Sequence, residues 1–296
     1  MRAQAGFTLV ELVVVIVLMS IMSVASVQFI ANMAGGYADL SRRQNMADVT
    51  QLAVERIGRE VRNALPNSVR IRSDANASCI EFIPTFGASI YQNLPVASTA
   101  TSFNAIPLGA GAITSWSTGD PLYVAVYPIS SNVSDETHTY NPVYDLDSNS
   151  IVTPLDDPAQ FIADQSNSTI ITVTLASSHR FPTESPTGRF FIVGSPVSYC
   201  LLTGSGDLYR YSGYRATGGV FFTQQPLPAS GNLGETEPGR ALLADGISSN
   251  APFADPAFAY VDTSLQRNAL VLFDLEVEEQ GESVRIQHVV QVRNAP

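Results

Sequence analysis

The chain has 296 residues, 45% hydrophobic and 15% charged, which is the composition of a folded protein with one large domain or two small ones. Its formal charge of -11 is unevenly spread: residues 66–296 hold 10 Arg against 22 acids, residues 37–65 hold five Arg against four acids, and residues 7–36 hold only Glu11. So acidic a body has no basic face to neutralise phosphates, which argues against nucleic acid as a partner and suits a solvated extracytoplasmic surface. All 16 basic residues are Arg, for which we have no physical account.

The first element is an apolar run from Gly6 to Ile30, entered through Phe7-Thr8-Leu9-Val10-Glu11. Its length suits a membrane helix, since about 20 apolar residues span a bilayer. A cleaved secretory signal would have an apolar core of about 7–15 residues followed by its small-residue site. Here the run is longer and Gly6 precedes it. A plain signal anchor fits the length and leaves Glu11 unexplained. A carboxylate in hydrocarbon costs roughly 2.5–3.5 kcal/mol or more, so it needs a partner or a route to the headgroups.

The hexapeptide Gly6-Phe7-Thr8-Leu9-Val10-Glu11 resembles the class III leader junction of type IV pilins and type II secretion pseudopilins. The resemblance implies removal of residues 1–6 by a prepilin peptidase, which cuts between Gly6 and Phe7, and N-methylation of Phe7. It also implies that Glu11 pairs in the membrane with the N-terminal amine of a neighbouring subunit. Two buried opposite charges then largely cancel their desolvation, and removing one strands the other at roughly 3–5 kcal/mol. A Glu that simply snorkels to the headgroups is the plainer alternative.

Beyond residues 7–30, Gly35-Gly36 is expected to interrupt the helix, at roughly 1 kcal/mol per Gly relative to Ala. The pattern resumes with Val54, Ile57, Val61 and Leu65 on one stripe, and Pro66 stops it. A continuous helix from Phe7 to Leu65 would measure about 88 Å at 1.5 Å per residue. That is more than a compact domain needs, so residues 31–65 read as a stem that carries the body 66–296.

The body reads as β structure. Ser68–Ile71, Cys79–Ile83, Leu122–Tyr127, Thr169–Leu175, Phe190–Val193 and Val197–Leu202 have strand patterns. Gly204-Ser205-Gly206-Asp207 is a turn returning into Leu208–Tyr211, and Arg240–Ile247 is a short strand or helical turn. Residues 85–118, 129–168 and 224–239 read as irregular or loop. Ala269–Val277 and Ser283–Val292 form a hairpin whose second arm puts Val284, Ile286, His288, Val290 and Val292 on one face.

Cys79 and Cys200 either form a bridge or remain two buried thiols. A bridge would close a loop of about 120 residues, worth at most about 4–5 kcal/mol in the chain-entropy model. The segment Asp145, Asp147, Asn149, Ile151 and Asp156 follows the spacing of a calcium-binding EF-hand loop. It departs at Ser150, where the loop needs Gly, at Asp156, where Glu is usual, and at Pro154, so a solvated Asx-rich turn is the competing reading. Calcium is therefore the one cofactor with any signal. His138, His179 and His288 belong to no catalytic motif, and no nucleophile elbow, zinc motif or phosphate loop occurs.

Asp245-Gly246, the final hairpin and the closing Val292-Arg293-Asn294-Ala295-Pro296 look like minor pilins and pseudopilins of the J/W type. Residues 60–70 and 79–84 are similar to minor pilins of mannose-sensitive haemagglutinin (MSHA) pili. The resemblance is closest over 6–30, looser over 54–84 and 196–296, and faint between 85 and 195. It implies an α+β fold: a long, partly transmembrane N-terminal helix packed on an antiparallel β-sheet domain. It also implies a non-enzymatic filament subunit, anchored once in a bacterial inner membrane with its bulk periplasmic, and later built into an extracellular pilus. Its implied partners are other minor pilins and the major pilin, the prepilin peptidase and the assembly platform. The competing functions are a type II secretion minor pseudopilin, a signal-anchored periplasmic enzyme, and an adhesin binding sugar through loops 85–168.

Overall fold

The structure is a computed structural model that describes residues 8–107, 122–129, 142–144, 149–153, 170–214, 225–228, 233, 239–247, 257–261 and 269–292. The fold is α+β: one long apolar N-terminal helix followed by antiparallel sheets. Residues 1–48 and 49–296 form separate compact units.

Helix α1 covers Leu9–Arg62 without a break. The expected interruption at Gly35-Gly36 does not occur. Two glycines cost roughly 2 kcal/mol together, and the hydrogen-bond ladder continues across them because helix formers stand on both sides. In the first unit the apolar side chains of Leu9 through Ile30 are exposed on every face. A helix that is apolar all round belongs in a large core or a bilayer. An 18-residue window of α1 has a mean hydropathy of 2.5 and none of it is buried, so the helix is long and apolar enough to cross a membrane.

In the second unit the end of α1 is amphipathic. Thr50, Ala53, Val54, Ile57 and Val61 are buried, and Leu65 continues the stripe just past the helix. Arg56, Arg59 and Arg62 take other positions on this last stretch, and Arg59 and Arg62 fall in the last turn, where cations suit the helix dipole. The helix closes with tightened bonds from Asn63 N–H to the Glu60 carbonyl and from Ala64 N–H to the Val61 carbonyl, both 3.0 Å. Leu65 N–H then donates to the Ile83 carbonyl at 2.7 Å, so the chain passes from the helix straight into a β contact.

The larger sheet has the order β1-β2-β8-β9-β10, where β1 is Arg70–Ser73, β2 Ala77–Phe82, β8 Val197–Leu202, β9 Leu208–Ser212 and β10 Ala241–Ala244. A second sheet orders β3 (Thr85–Ile90), β7 (Arg189–Val193) and β5 (Tyr123–Val126), and a two-stranded sheet pairs β4 (Ala100–Ala105) with β6 (Ile171–His179). The last sheet orders β11 (Phe258–Val261), β12 (Ala269–Glu279) and β13 (Glu282–Val292). Every ladder is antiparallel.

Strands β3 and β4 lie where the sequence reads as irregular. Their Ser, Thr, Ala and Gly content is poor in β signal, and pairing with the apolar β7 and with β6 decides their state. Strand β11 is likewise supplied by its neighbour β12. The C-terminal hairpin follows its alternation: Val284, Ile286 and His288 are half-buried, Val290 and Val292 are buried, and the intervening residues from Ser283 to Gln291 are exposed. Its turn is two residues long, Gln280 and Gly281, both with positive φ (53° and 82°), as a type I′ turn requires. Strand β13 lies under the helix end at Gly58, where an added Cβ would come within 3.0 Å of Val290 Cγ2.

Candidate assembly segment and the polar core of the body

At the helix start, Thr8 precedes the first helical residue and Glu11 is the third residue of the helix. Glu11 N–H donates to Thr8 Oγ1 at 3.3 Å, and Leu12 N–H donates to the Thr8 carbonyl at 3.3 Å. Thr8-x-x-Glu11 is therefore the spacing of a capping box, in which a Thr and a Glu serve the first free N–H groups of a helix. The motif also places a negative charge at the positive end of the helix dipole. This capping geometry is legible in the sequence as Thr-x-x-Glu before an apolar run. Among the described residues no cation pairs with Glu11. Gly6 and Phe7 lie outside the described residues.

Residues 1–27 match the family model of the prokaryotic N-terminal methylation motif. The N-terminus carries a type IV pilin-like prepilin signal. The match supports a substrate of the type IV pilin or pseudopilin type, and with it processing by a prepilin peptidase and assembly with other pilins. No curated protein and no solved structure matches the chain. The pilin-type signal and the apolar helix together indicate membrane anchoring, and the signal points to a structural rather than an enzymatic protein.

Inside the body a polar network crosses the larger sheet. Arg70, Glu81, Ser198 and Tyr211 are successive cross-strand partners on β1, β2, β8 and β9. Arg70 and Glu81 form an ion pair with each side chain 1% exposed. Tyr214 Oη donates to Glu81 Oε1 at 2.6 Å and lies 2.7 Å from Ser198 Oγ. The Arg70 guanidinium stacks 3.6 Å from the centre of the Tyr144 ring, and Tyr144 Oη donates to the Ser68 carbonyl at 2.8 Å. Burial pushes the Glu81 carboxyl above its ordinary value, against the opposing charge and hydrogen bond of Arg70. Burial first, and the Glu81 charge second, raise Tyr144 and Tyr214 well above the usual phenol range. With its polar atoms paired and no solvent access, the network is structural. Its one sequence signal was a Glu between Ile80 and Phe82 in an otherwise apolar strand.

The same sheet contains the Cys79–Cys200 disulfide, whose residues are direct partners across β2 and β8. Beside it, Gln225 Nε2 donates to the Cys79 carbonyl at 2.9 Å.

Of the calcium candidates, Asp145, Asp147 and Asp156 lie outside the described residues. Asn149 Oδ1 accepts from Arg180 Nε at 3.0 Å, and the Ile151 carbonyl accepts from Val126 N–H at 3.0 Å. Among the described residues no group of three His, Cys, Asp or Glu side chains could hold a metal ion. His179 is buried, with Nε2 3.0 Å from the Ser150 carbonyl, and burial lowers its pKa. His288 stacks on Phe273 with ring centres 6.4 Å apart. His138 lies outside the described residues.

Proposed function

We propose that this protein is a minor pilin of an MSHA-like type IV pilus, resembling the biogenesis protein MshO, and that it primes assembly or occupies the filament tip. Residues 1–6 are the leader, 7–30 the membrane helix, 31–65 the periplasmic half of the stem, and 66–296 the periplasmic β-rich body. The prepilin peptidase cuts between Gly6 and Phe7, Phe7 becomes N-methylated, and the helix then joins neighbouring pilins. The observation that carries this reading is an acid, Glu11, at the third position of a helix apolar on all faces, within a matched methylation motif.

In the bilayer the charge of Glu11 is neutralised by the amine of an adjoining Phe7. That pairing joins unlike surfaces, so it repeats along a filament without closing. The bond observed at the helix start, from Glu11 N–H to Thr8 Oγ1, involves the backbone of Glu11 rather than its carboxylate. A body of more than 200 residues suits a tip, where it has no neighbours to crowd. The assembly platform of the inner membrane is the machinery that would extract the subunit.

Mass spectrometry of the protein purified from membranes tests the processing. The expected N-terminus is N-methyl-Phe7, and an intact Met1 excludes the filament reading. Glu11→Ala is expected to leave cutting intact and to remove the protein from sheared filaments, read by immunoblot of the shear fraction. Wild-type incorporation of Glu11→Ala would overturn the pairing.

A further inference from the structure

Strand β5 pairs with β7 on one side, and on the other its edge is covered by a short strap, residues 149–153. Val126 N–H donates to the Ile151 carbonyl at 3.0 Å, Thr153 N–H to the Val124 carbonyl at 2.9 Å, and Val124 N–H to Thr153 Oγ1 at 3.0 Å. Val152, opposite Ala125, is fully buried in a cluster with Leu65, Tyr123, Phe191 and Val193.

A further attachment of the strap is titratable. His179, the last residue of β6, is fully buried, and its Nε2 lies 3.0 Å from the Ser150 carbonyl. A carbonyl oxygen can only accept, so Nε2 carries the ring proton and Nδ1 is the bare nitrogen. Nδ1 is shielded from solvent and has no hydrogen-bond partner among the described residues. A proton added there would make a cation out of water, with no acceptor for its new N–H.

Among the described residues no neighbour offsets that cost. Ala100 stands opposite His179 on β4, and the Phe181 ring meets the imidazole edge-on with ring centres 4.6 Å apart. Arg180, the adjoining charge, is itself a cation and gives its Nε to Asn149 Oδ1 at 3.0 Å. Burial, opposed in part by the bond to Ser150, holds the pKa of His179 below the ordinary 6.5.

We propose that His179 is an acid-sensitive latch: neutral, it pins the 149–153 strap over the edge of β5, and protonated, it releases the strap. When the strap opens, the imidazole regains water and its ordinary proton affinity, so the open form takes up a proton that the closed form refuses. The latch is therefore fully effective above the ordinary pKa of 6.5. As pH falls below that value, opening rises about tenfold per pH unit until the closed form itself protonates. Opening uncovers the N–H groups of Val124 and Val126 on an apolar strand, an edge of the kind that accepts another strand. The proposal stands independently of which filament the protein joins.

Amide hydrogen exchange of the full-length protein in lipid nanodiscs tests it, with each rate divided into the intrinsic rate at the same pH to give a protection factor. Protection of the Val126 and Thr153 amides is expected to fall about tenfold from pH 7.5 to 5.5, while that of the β12–β13 hairpin stays level. His179→Gln keeps a side-chain N–H for the Ser150 carbonyl and does not titrate, so its strap protection is expected to be independent of pH, whatever its absolute level. Imidazole 15N NMR is expected to place the ring proton of His179 on Nε2 at pH 7.5. Level strap protection in the wild type, an equal fall in the hairpin or in His179→Gln, or a ring proton on Nδ1 would overturn the proposal.

Discussion

At the scale of single residues, Glu81 in the core and, in the membrane setting we propose, Glu11 face one cost, that of a carboxylate out of water. Glu81 finds its partner within the chain, from Arg70 directly across the ladder, and Tyr214 supplies a further hydrogen bond. Removing the charge from one side strands the other, so Glu81→Gln should destabilise the protein by roughly 3–5 kcal/mol in urea denaturation. The double change Arg70→Met with Glu81→Leu should recover much of that loss, because an apolar pair of similar volume needs no compensation. Glu11 has no such partner among the described residues; in the filament we propose, a neighbouring molecule supplies it. A third carboxyl, Asp274, accepts from Arg285 Nε at 2.7 Å and Gln287 Nε2 at 2.8 Å on the C-terminal hairpin. The hydrogen bonds from Arg285 hold its pKa below the ordinary 3.8. Its folded pKa is depressed, so its contribution is present above the unfolded value and lost as pH falls through the folded one. Asp274→Asn should remove that part of the acid dependence below about pH 4, by less than about 1 kcal/mol because Arg285 is half exposed. Thermal melts between pH 2 and 5 would show it.

At the scale of elements, the helix and the hairpin are the pieces that local pattern describes best. Val54, Ile57, Val61 and Leu65 are spaced as one helical stripe, and all four are buried. The hairpin alternation is reproduced residue by residue, since a one-residue slip would turn its apolar set to the wrong face. The glycine pair is where local reasoning overreached. Gly35 and Gly36 lower helix propensity without breaking the ladder, and an added Cβ at either would meet nothing within 4 Å. Gly35→Ala and Gly36→Ala should therefore each stabilise the helix, by about 1 kcal/mol, measured as increased helicity and slower amide exchange in micelles. Gly58 is different. Its missing Cβ lets α1 approach Val290 and His288 on β13, so it is retained for packing although it weakens the helix.

At the scale of the whole molecule, long-range closure holds the body together. The Cys79–Cys200 bond joins two strands 121 residues apart in sequence. Reduction, or Cys79→Ser, should cost up to about 4–5 kcal/mol in the chain-entropy model, seen as a lower melting temperature under dithiothreitol. Because both sulfurs are fully buried, the wild-type bond should resist dithiothreitol until the body is partly unfolded. The sequence by itself determined the ends of this protein: the methylation motif, the apolar helix, the amphipathic stripe and the final hairpin. Each is written in neighbouring residues, as a run, a 3.6-residue period or an alternation, and needs no distant partner to be read. Only the tertiary structure decided that β3, β4 and β11 are strands, that Glu81 meets Arg70, and that His179 meets the Ser150 carbonyl. Those outcomes depend on strands far apart in the chain coming into register, and a weakly patterned segment takes its state from the neighbour it pairs with rather than from its own side chains.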